Sequence, residues 1–291
     1  MARDKHFSIN PYRKKSLLVR RSKNYSGRIK DMKTNDHKER KFVTALARGL
    51  DVLKCFGVGD LFLGNNQIAE RTGLPKSTVS RLSYTLTEKG YLEYVPEHNK
   101  YRLTTAVLRL GYASLAKMDV RRIARPLMQA LAEHTQASVN FGVRDHLNMV
   151  YIDTYRNAST YAVQLNVGSE ISISTTSMGR AYLAAVTKEK REELMEKIRI
   201  SDEENWPRIK AGIDKAVIDF KDKGYCLSLG DWRPESHALA VPLVPEDDTS
   251  AIMVFSCSGA AFQLSADVFE NDIGPRLLNL VANVKTVLKF A

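Results

Sequence analysis

Cysteine is scarce in this sequence: three in 291 residues, Cys55, Cys226 and Cys257, with no two at a Cys-x-x-Cys spacing. That excludes a disulfide framework. With six scattered histidines it also excludes a zinc site of the usual ligand spacing, so neither metal nor cofactor is expected. No stretch approaches the ~20 consecutive apolar residues that span a bilayer, and the amino terminus lacks the apolar run of a secretory signal. A cytoplasmic protein with no membrane partner is the expectation. A glycine-rich phosphate loop is missing, and so is a G-x-S-x-G elbow ahead of a helix. His237, Asp231 and Ser256 or Ser258 are hydrolase residue types, but without such an elbow no catalytic residue is assigned.

What remains is an ordinary globular composition, 44% hydrophobic and 26% charged, long enough for two domains. The net charge of +11 is unevenly spread. Residues 1–41 carry 14 Lys/Arg against four acidic residues, residues 42–118 carry 10 against 6, and the remainder carries 20 against 23. A basic front and a mildly acidic back suit a chain whose first part meets a polyanion, nucleic acid or an anionic membrane surface. Residues 1–41 lack apolar periodicity and read as a basic flexible tail. It either tracks DNA or is a solvated or over-extended start.

From Phe42 the pattern changes. Val43, Leu46, Leu50 and Leu53 form the stripe of an amphipathic helix, ended by Gly57 and Gly59. Asn65 or Asn66 can cap a short second helix through QIAERT, and Gly73 supplies the bend before KSTVSRLSYTLTEKG, whose inward stripe is Val79, Leu82 and Leu86. Tyr91–Val95 and Tyr101–Leu103 are β-prone runs around the polar tip PEHNK. Three helices and a hairpin sharing Ile68, Ala69, Leu74, Val79 and Leu82 make a winged helix-turn-helix over residues 42–105. Residues 106–119 continue as a linker helix, apolar around most of its circumference (Val107, Leu108, Leu110, Tyr112, Leu115), which calls for a second protomer as cover.

Beyond it, residues 120–291 alternate helices and strands. A helix through RRIARPLMQALAEHT precedes strands ASVNFGV, MVYIDTYR and YAVQLNV. Helices at Ser177–Ala185, Glu189–Ile198 and Arg208–Lys223 follow, then strands Tyr225–Leu229, Ala238–Val244 and Ala251–Ser256, and a closing helix. The fold class is α+β, the second domain an α/β unit with an antiparallel sheet.

At QIAERTGLPKSTVSRLSYTLTEKGYLEY and YRLTTAVLRLG the sequence resembles the DNA-binding domain of the IclR family of transcription regulators. VGSEISISTTSMGRAYLAA, HALAVPL, IMVFSCSG and the Leu-Ser cap before the last helix resemble that family's effector-binding half, so the likeness runs in order over residues 42–291. It implies a GAF/PAS-like effector domain, double-stranded operator DNA and a small-molecule effector as partners, and a homodimer or homotetramer, a dimer of dimers. One departure is Ala238, where many relatives carry a cysteine or similar small residue, preceded here by GDWRPESH.

The implied DNA contacts are on the third helix, which enters the major groove by its N-terminal end. Ser77, Thr78 and Arg81 would read bases, and Lys76 and Tyr84 would meet the backbone. On the hairpin Asn99, Lys100 and Arg102 could reach phosphates. In the effector half, the resemblance implies N–H donors from Ser177, Met178 and Gly179 at a helix start, with Arg180 adding positive charge, a setting suited to an organic acid. Ser256 and Ser258 share one strand face. Asp231 and His237 would add polar contacts, Trp232 a wall. Each also suits a capping or core position.

Overall fold

The structure, a computed structural model, describes residues 42–57, 59–116, 118–156, 165–246 and 251–289. The basic segment 1–41 lies outside them. The described residues divide into two compact units, the first ending at Gly111 and the second beginning at Tyr112.

In the first unit, helix α1 (Thr44–Lys54) buries Val52. Of the stripe read from the sequence only Leu53 joins the core, half-buried, while Val43, Leu46 and Leu50 are exposed. Apolar spacing tells that a face will be covered, not what covers it. Helix α2 (Asn65–Thr72) begins one residue earlier than a capping asparagine would require. Gly64 precedes it, and its N–H donates to the Gln67 side chain at 3.0 Å. Gly73 ends it at φ 68°, its N–H donating to Ala69 O. That left-handed geometry favours glycine, and it turns the chain within three residues into α3 (Lys76–Glu88). Leu63, Ile68, Val79 and Leu92 close the core with Val52. Strands β1 (Leu92–Val95) and β2 (Lys100–Leu103) pair antiparallel as the wing, and Leu63 bridges to Tyr101 at its base. Helix α4 (Thr105–Leu115) buries none of its residues: Leu108 is 70% and Tyr112 63% exposed.

The second unit opens with α5 (Asp119–Thr135), followed by β3 (Ser138–Asp145), β4 (Asn148–Tyr155) and β5 (Glu170–Ser172). Of the third strand expected at YAVQLNV, 161–164 lie outside the described residues and Leu165–Val167 belong to no strand; the next described strand begins at Glu170. Helices α6 (Ser177–Ala185), α7 (Lys188–Ser201) and α8 (Trp206–Lys223) precede β6 (Cys226–Leu229), β7 (Ser236–Leu243) and β8 (Met253–Ala260), and α9 (Gly274–Lys289) closes the chain. Among the described residues the strands form one antiparallel sheet in the order β5-β4-β3-β8-β7-β6.

Successive side chains of a strand point to opposite faces, and here each face has its own core. On one, Val139, Phe141, Leu239, Phe255 and Cys257 pack with residues of α5 and α9, Phe141 and Phe255 stacking at 4.9 Å. On the other, Met149, Tyr151, Ile171, Ala240 and Val254 pack with residues of α6, α7 and α8. Burial pushes the thiols of Cys226 and Cys257, one on each face, up to about 12. Both stay protonated at neutral pH.

Helix α6 sits unusually low. A Cβ on Gly179 would lie 2.2 Å from the carbonyl oxygen of Ile173, and one on Gly142 of β3 would lie 2.7 Å from the Met178 sulfur. Backbone against backbone cannot yield as a flexible side chain can. Gly179→Ala is therefore expected to destabilise the second unit by about 1–3 kcal/mol or more, read as a lowered denaturation midpoint. An unchanged midpoint would contradict this account of the packing.

Candidate DNA interface and effector cavity

The outward side of α3 is free of acidic groups until Glu88. Lys76, Ser77, Arg81 and Tyr84 are exposed and Thr78 is half-buried. Ser80, exposed on the same side, belongs with them. The alternation of the helix already carried that signal. On the wing, Arg102 is engaged: its guanidinium makes two hydrogen bonds to Glu93, at 2.8 and 2.9 Å. The two residues are register partners, and the pair holds the Glu93 carboxyl below its ordinary range. The pair is half exposed, so a phosphate contact by Arg102 would compete with Glu93. Asn99 accepts the Tyr94 hydroxyl at 2.7 Å in a left-handed turn, and Lys100 is half-buried.

The second unit contains a cavity between the sheet and the start of α6, of volume ≈ 30 Å³, room for about two water molecules. Its floor carries Ser138 and Asn140 of β3, Ser256 and Ser258 of β8, Ala238 of β7 and Ser228 of β6. Its walls are Tyr151, Leu165, Ile171, Met178 and Trp232. No ionisable acid or base is among the described lining residues apart from the Tyr151 phenol, which burial raises above its ordinary value and so keeps neutral.

The polar groups are arranged in one sense. The Asn140 amide donates to Ser258 Oγ at 3.1 Å and Ser256 Oγ at 3.4 Å, while its carbonyl oxygen accepts from Thr154 Oγ1 at 2.8 Å. A serine oxygen that accepts keeps its own proton for another acceptor. At the cavity's other side the helix α6 begins after Thr176, whose Oγ1 accepts from Gly179 N–H at 3.1 Å. Among the described residues no acceptor pairs with the leading N–H groups of Ser177 and Met178. Ser138 stands out. It is 4% exposed, and its Oγ has no hydrogen-bond partner among the described atoms.

Residues 45–96 match the IclR helix-turn-helix domain, and residues 112–275 match the bacterial transcriptional regulator IclR C-terminal domain. The chain belongs to the IclR family. It is 34% identical over 251 residues to the HTH-type transcriptional regulator TsaQ1/TsaQ2 of Comamonas testosteroni, covering 86% of this chain and 90% of that one. Among solved structures it is similar to an IclR family transcriptional regulator from Brucella abortus, at 45% identity, TM-score 0.77, 85% of this chain and 93% of that one. In fold it is also similar to an IclR homologue from Microbacterium hydrocarbonoxydans complexed with 4-hydroxybenzoate, at 20% identity, TM-score 0.68, 85% of this chain and 100% of that one. The family consists of DNA-binding transcriptional regulators rather than enzymes.

Within this IclR-family chain the structure sorts the residues read from the sequence. Ser177, Met178, Trp232, Ala238, Ser256 and Ser258 come together around the cavity. Gly179, Asp231 and His237 do not line it. The Gly179 N–H is taken by the Thr176 cap, and the absent Cβ serves packing on Ile173. His237 neighbours Ala238 in β7 and so points to the opposite face of the sheet, where its Nδ1 meets Leu264 O at 2.8 Å. Asp231 turns to Arg180, 2.7 Å away, and Arg180 is 5% exposed, also donating to Leu227 O. The positive charge expected to draw an anion is thereby neutralised. Ser138, Asn140, Tyr151, Ile171 and Ser228 went unread. Asn140, a polar residue amid the buried run of ASVNFGV, was the available signal.

Among the described residues no helix is long and apolar enough to cross a membrane, and no group of three His, Cys, Asp or Glu could hold a metal ion.

Proposed function

We propose that residues 42–105 of this regulator bind double-stranded operator DNA, that residues 120–291 bind a small carboxylic acid, organic or aromatic, and that the linker at 106–119 couples the two. The observation that carries the effector reading is the donor sense of the cavity. Ser256 and Ser258, turned by Asn140, offer protons, and the Ser177 and Met178 N–H groups lead a helix whose dipole favours an anion. With no cation among the described lining residues, neutral donors take the carboxylate, and the apolar walls take the remainder of the ligand. The homologue that holds 4-hydroxybenzoate lends the aromatic class support. A ring needs more than the ≈ 30 Å³ free here, so the aromatic reading requires the cavity to widen on binding.

The exposed apolar faces support a homodimer or a dimer of dimers. Leu46, Leu50 and Leu110 line one groove, and Leu108 and Tyr112 add to the uncovered area. A second copy burying these faces would present two α3 helices to half-sites about one helical turn apart, or a multiple of it. A monomer in sedimentation at micromolar concentration would overturn this.

On α3, neither Lys76 nor Arg81 engages another described side chain. Arg81→Ala is expected to reduce the preference for operator over random DNA by about 1–3 kcal/mol. Lys76→Ala is expected to weaken both alike and flatten the salt dependence. Equal losses on both DNAs for Arg81→Ala would move Arg81 to the phosphate backbone.

The central experiment fills the cavity. Met178→Trp is expected to abolish the ligand-dependent change in operator affinity, measured by titration of labelled operator with and without a carboxylic acid, and, because it overpacks the contact with Gly142, to lower the denaturation midpoint of the second unit as well. Because linkage is reciprocal, the wild-type protein should show DNA and ligand changing each other's affinity by one factor. A normal ligand response in Met178→Trp would put the pocket elsewhere.

A further inference from the structure

Strand β4 holds the one break in register among the described strand pairs: Tyr151 faces Gly142 and Asp153 faces Phe141, so Ile152 is left without a partner. Such a bulge re-aims the side chains that follow it. Met149 and Tyr151 belong to the core on the cavity side of the sheet, and Ile152 to the core shared with α5 and α9. Strict alternation would return Asp153 to the cavity side and send Thr154 toward α5. The extra residue reverses both. Asp153 reaches α5, where Arg121 Nε donates to its Oδ2 at 2.8 Å. Thr154 lies opposite Asn140 and donates from Oγ1 to the Asn140 carbonyl oxygen at 2.8 Å.

Two neighbouring residues thus join the two faces. On the cavity side Asn140 holds Ser256 and Ser258. Asp153 Oδ1 also accepts the N–H of Thr154 at 3.0 Å, which fixes the peptide between them. Arg121 stands in the first turn of α5, and Leu115 and Met118, at the end of the linker, pack on the same core as that helix. Stability alone does not account for this arrangement. The Asp153 side chain is 8% exposed and that of Arg121 29%, and desolvation of a pair so placed offsets much of its attraction. The bulge in turn gives up ladder pairing.

We propose that Thr154, Asp153 and Arg121 form a relay that carries occupancy of the cavity to the first turn of α5, and so to the end of the linker. This rests on the reading of the cavity as the effector site. A ligand oxygen that takes the serine protons makes the serines stronger acceptors, and a chain of hydrogen bonds passes such polarisation along. The Asn140–Thr154 bond firms, the peptide at Asp153 firms with it, and the seat of Arg121 opens less often. The signal is a change in local opening rather than a displacement. Thr154, Asp153 and Arg121 are positioning residues: none of them lines the cavity.

The test is amide hydrogen exchange in the full chain, read at residues 121–125 of α5. Its first arm needs no ligand. Thr154→Val removes the hydroxyl and keeps the shape, and is expected to speed exchange there about fivefold, the worth of one neutral hydrogen bond. Thr154→Ser, which keeps the hydroxyl, should change it little. In an Arg121→Met background the Thr154→Val step should fall below about twofold. Equal steps in both backgrounds, or a rise spread evenly over the second unit, would overturn the relay. The second arm adds benzoate. In the wild-type protein it is expected to slow exchange at residues 177–179 and at 121–125; in Arg121→Met the first protection stays and the second is lost. Protection at both places in that variant also overturns the relay. Absence of protection at 177–179 in the wild-type protein overturns the aromatic carboxylate reading instead, and the first arm still decides the relay.

Discussion

The effector half depends on one close approach, the first turn of α6 against the backbone at Ile173. Glycine at 179 lets the helix descend until Met178 rests on Gly142 of the sheet. From that contact follows the position of two leading N–H groups over a floor of serines, and the narrowness of the space between them. The Thr176 cap and the Ser228 bond to Thr175 pin the same turn from the side chain and from the sheet. The Arg180–Asp231 pair extends this hold to the loop bearing Trp232, so wall and helix are fastened to one another. Arg180 in turn lies flush on Gly212 of α8, where an added Cβ would fall 2.2 Å from its guanidinium.

How much of this was legible follows from the physics of each element. Two-residue alternation put Ser256 and Ser258 on one face, and the structure has them so. The same alternation separates His237 from Ala238, but in the sequence nothing says which of the two neighbours faces a cavity. That depends on what covers each side of the sheet, a tertiary fact. The start of α6 could be read because Thr, Ser and Gly announce a helix end. The fate of Arg180 could not, since its carboxylate lies fifty-one residues away. Ser138 was hidden for another reason. Its interest lies in a missing partner, and absence of a bond has no sequence pattern.

In the DNA-binding half, helix order, the Gly73 bend and the polar outer side of α3 follow from local rules and were readable. The apolar stripe of α1 was readable as a stripe but not as a surface. Val43, Leu46 and Leu50 recur at helical spacing whether the cover is the helix's own domain or another molecule. Arg102 likewise reads as a phosphate ligand until strand register sets Glu93 opposite it.

The neutrality of the cavity separates the two halves in how they answer to solvent. Contacts with a polyanion release condensed counterions, so the DNA contact proposed for α3 would slacken steeply as salt rises. Buried hydroxyls and amide N–H groups carry no ion atmosphere to shed, and the interior screens them little. Ionic strength therefore acts on one input of the regulator and leaves the other nearly untouched. On the proposed reading, osmotic stress in a cell would weaken the DNA contact while leaving the carboxylate site nearly as it was.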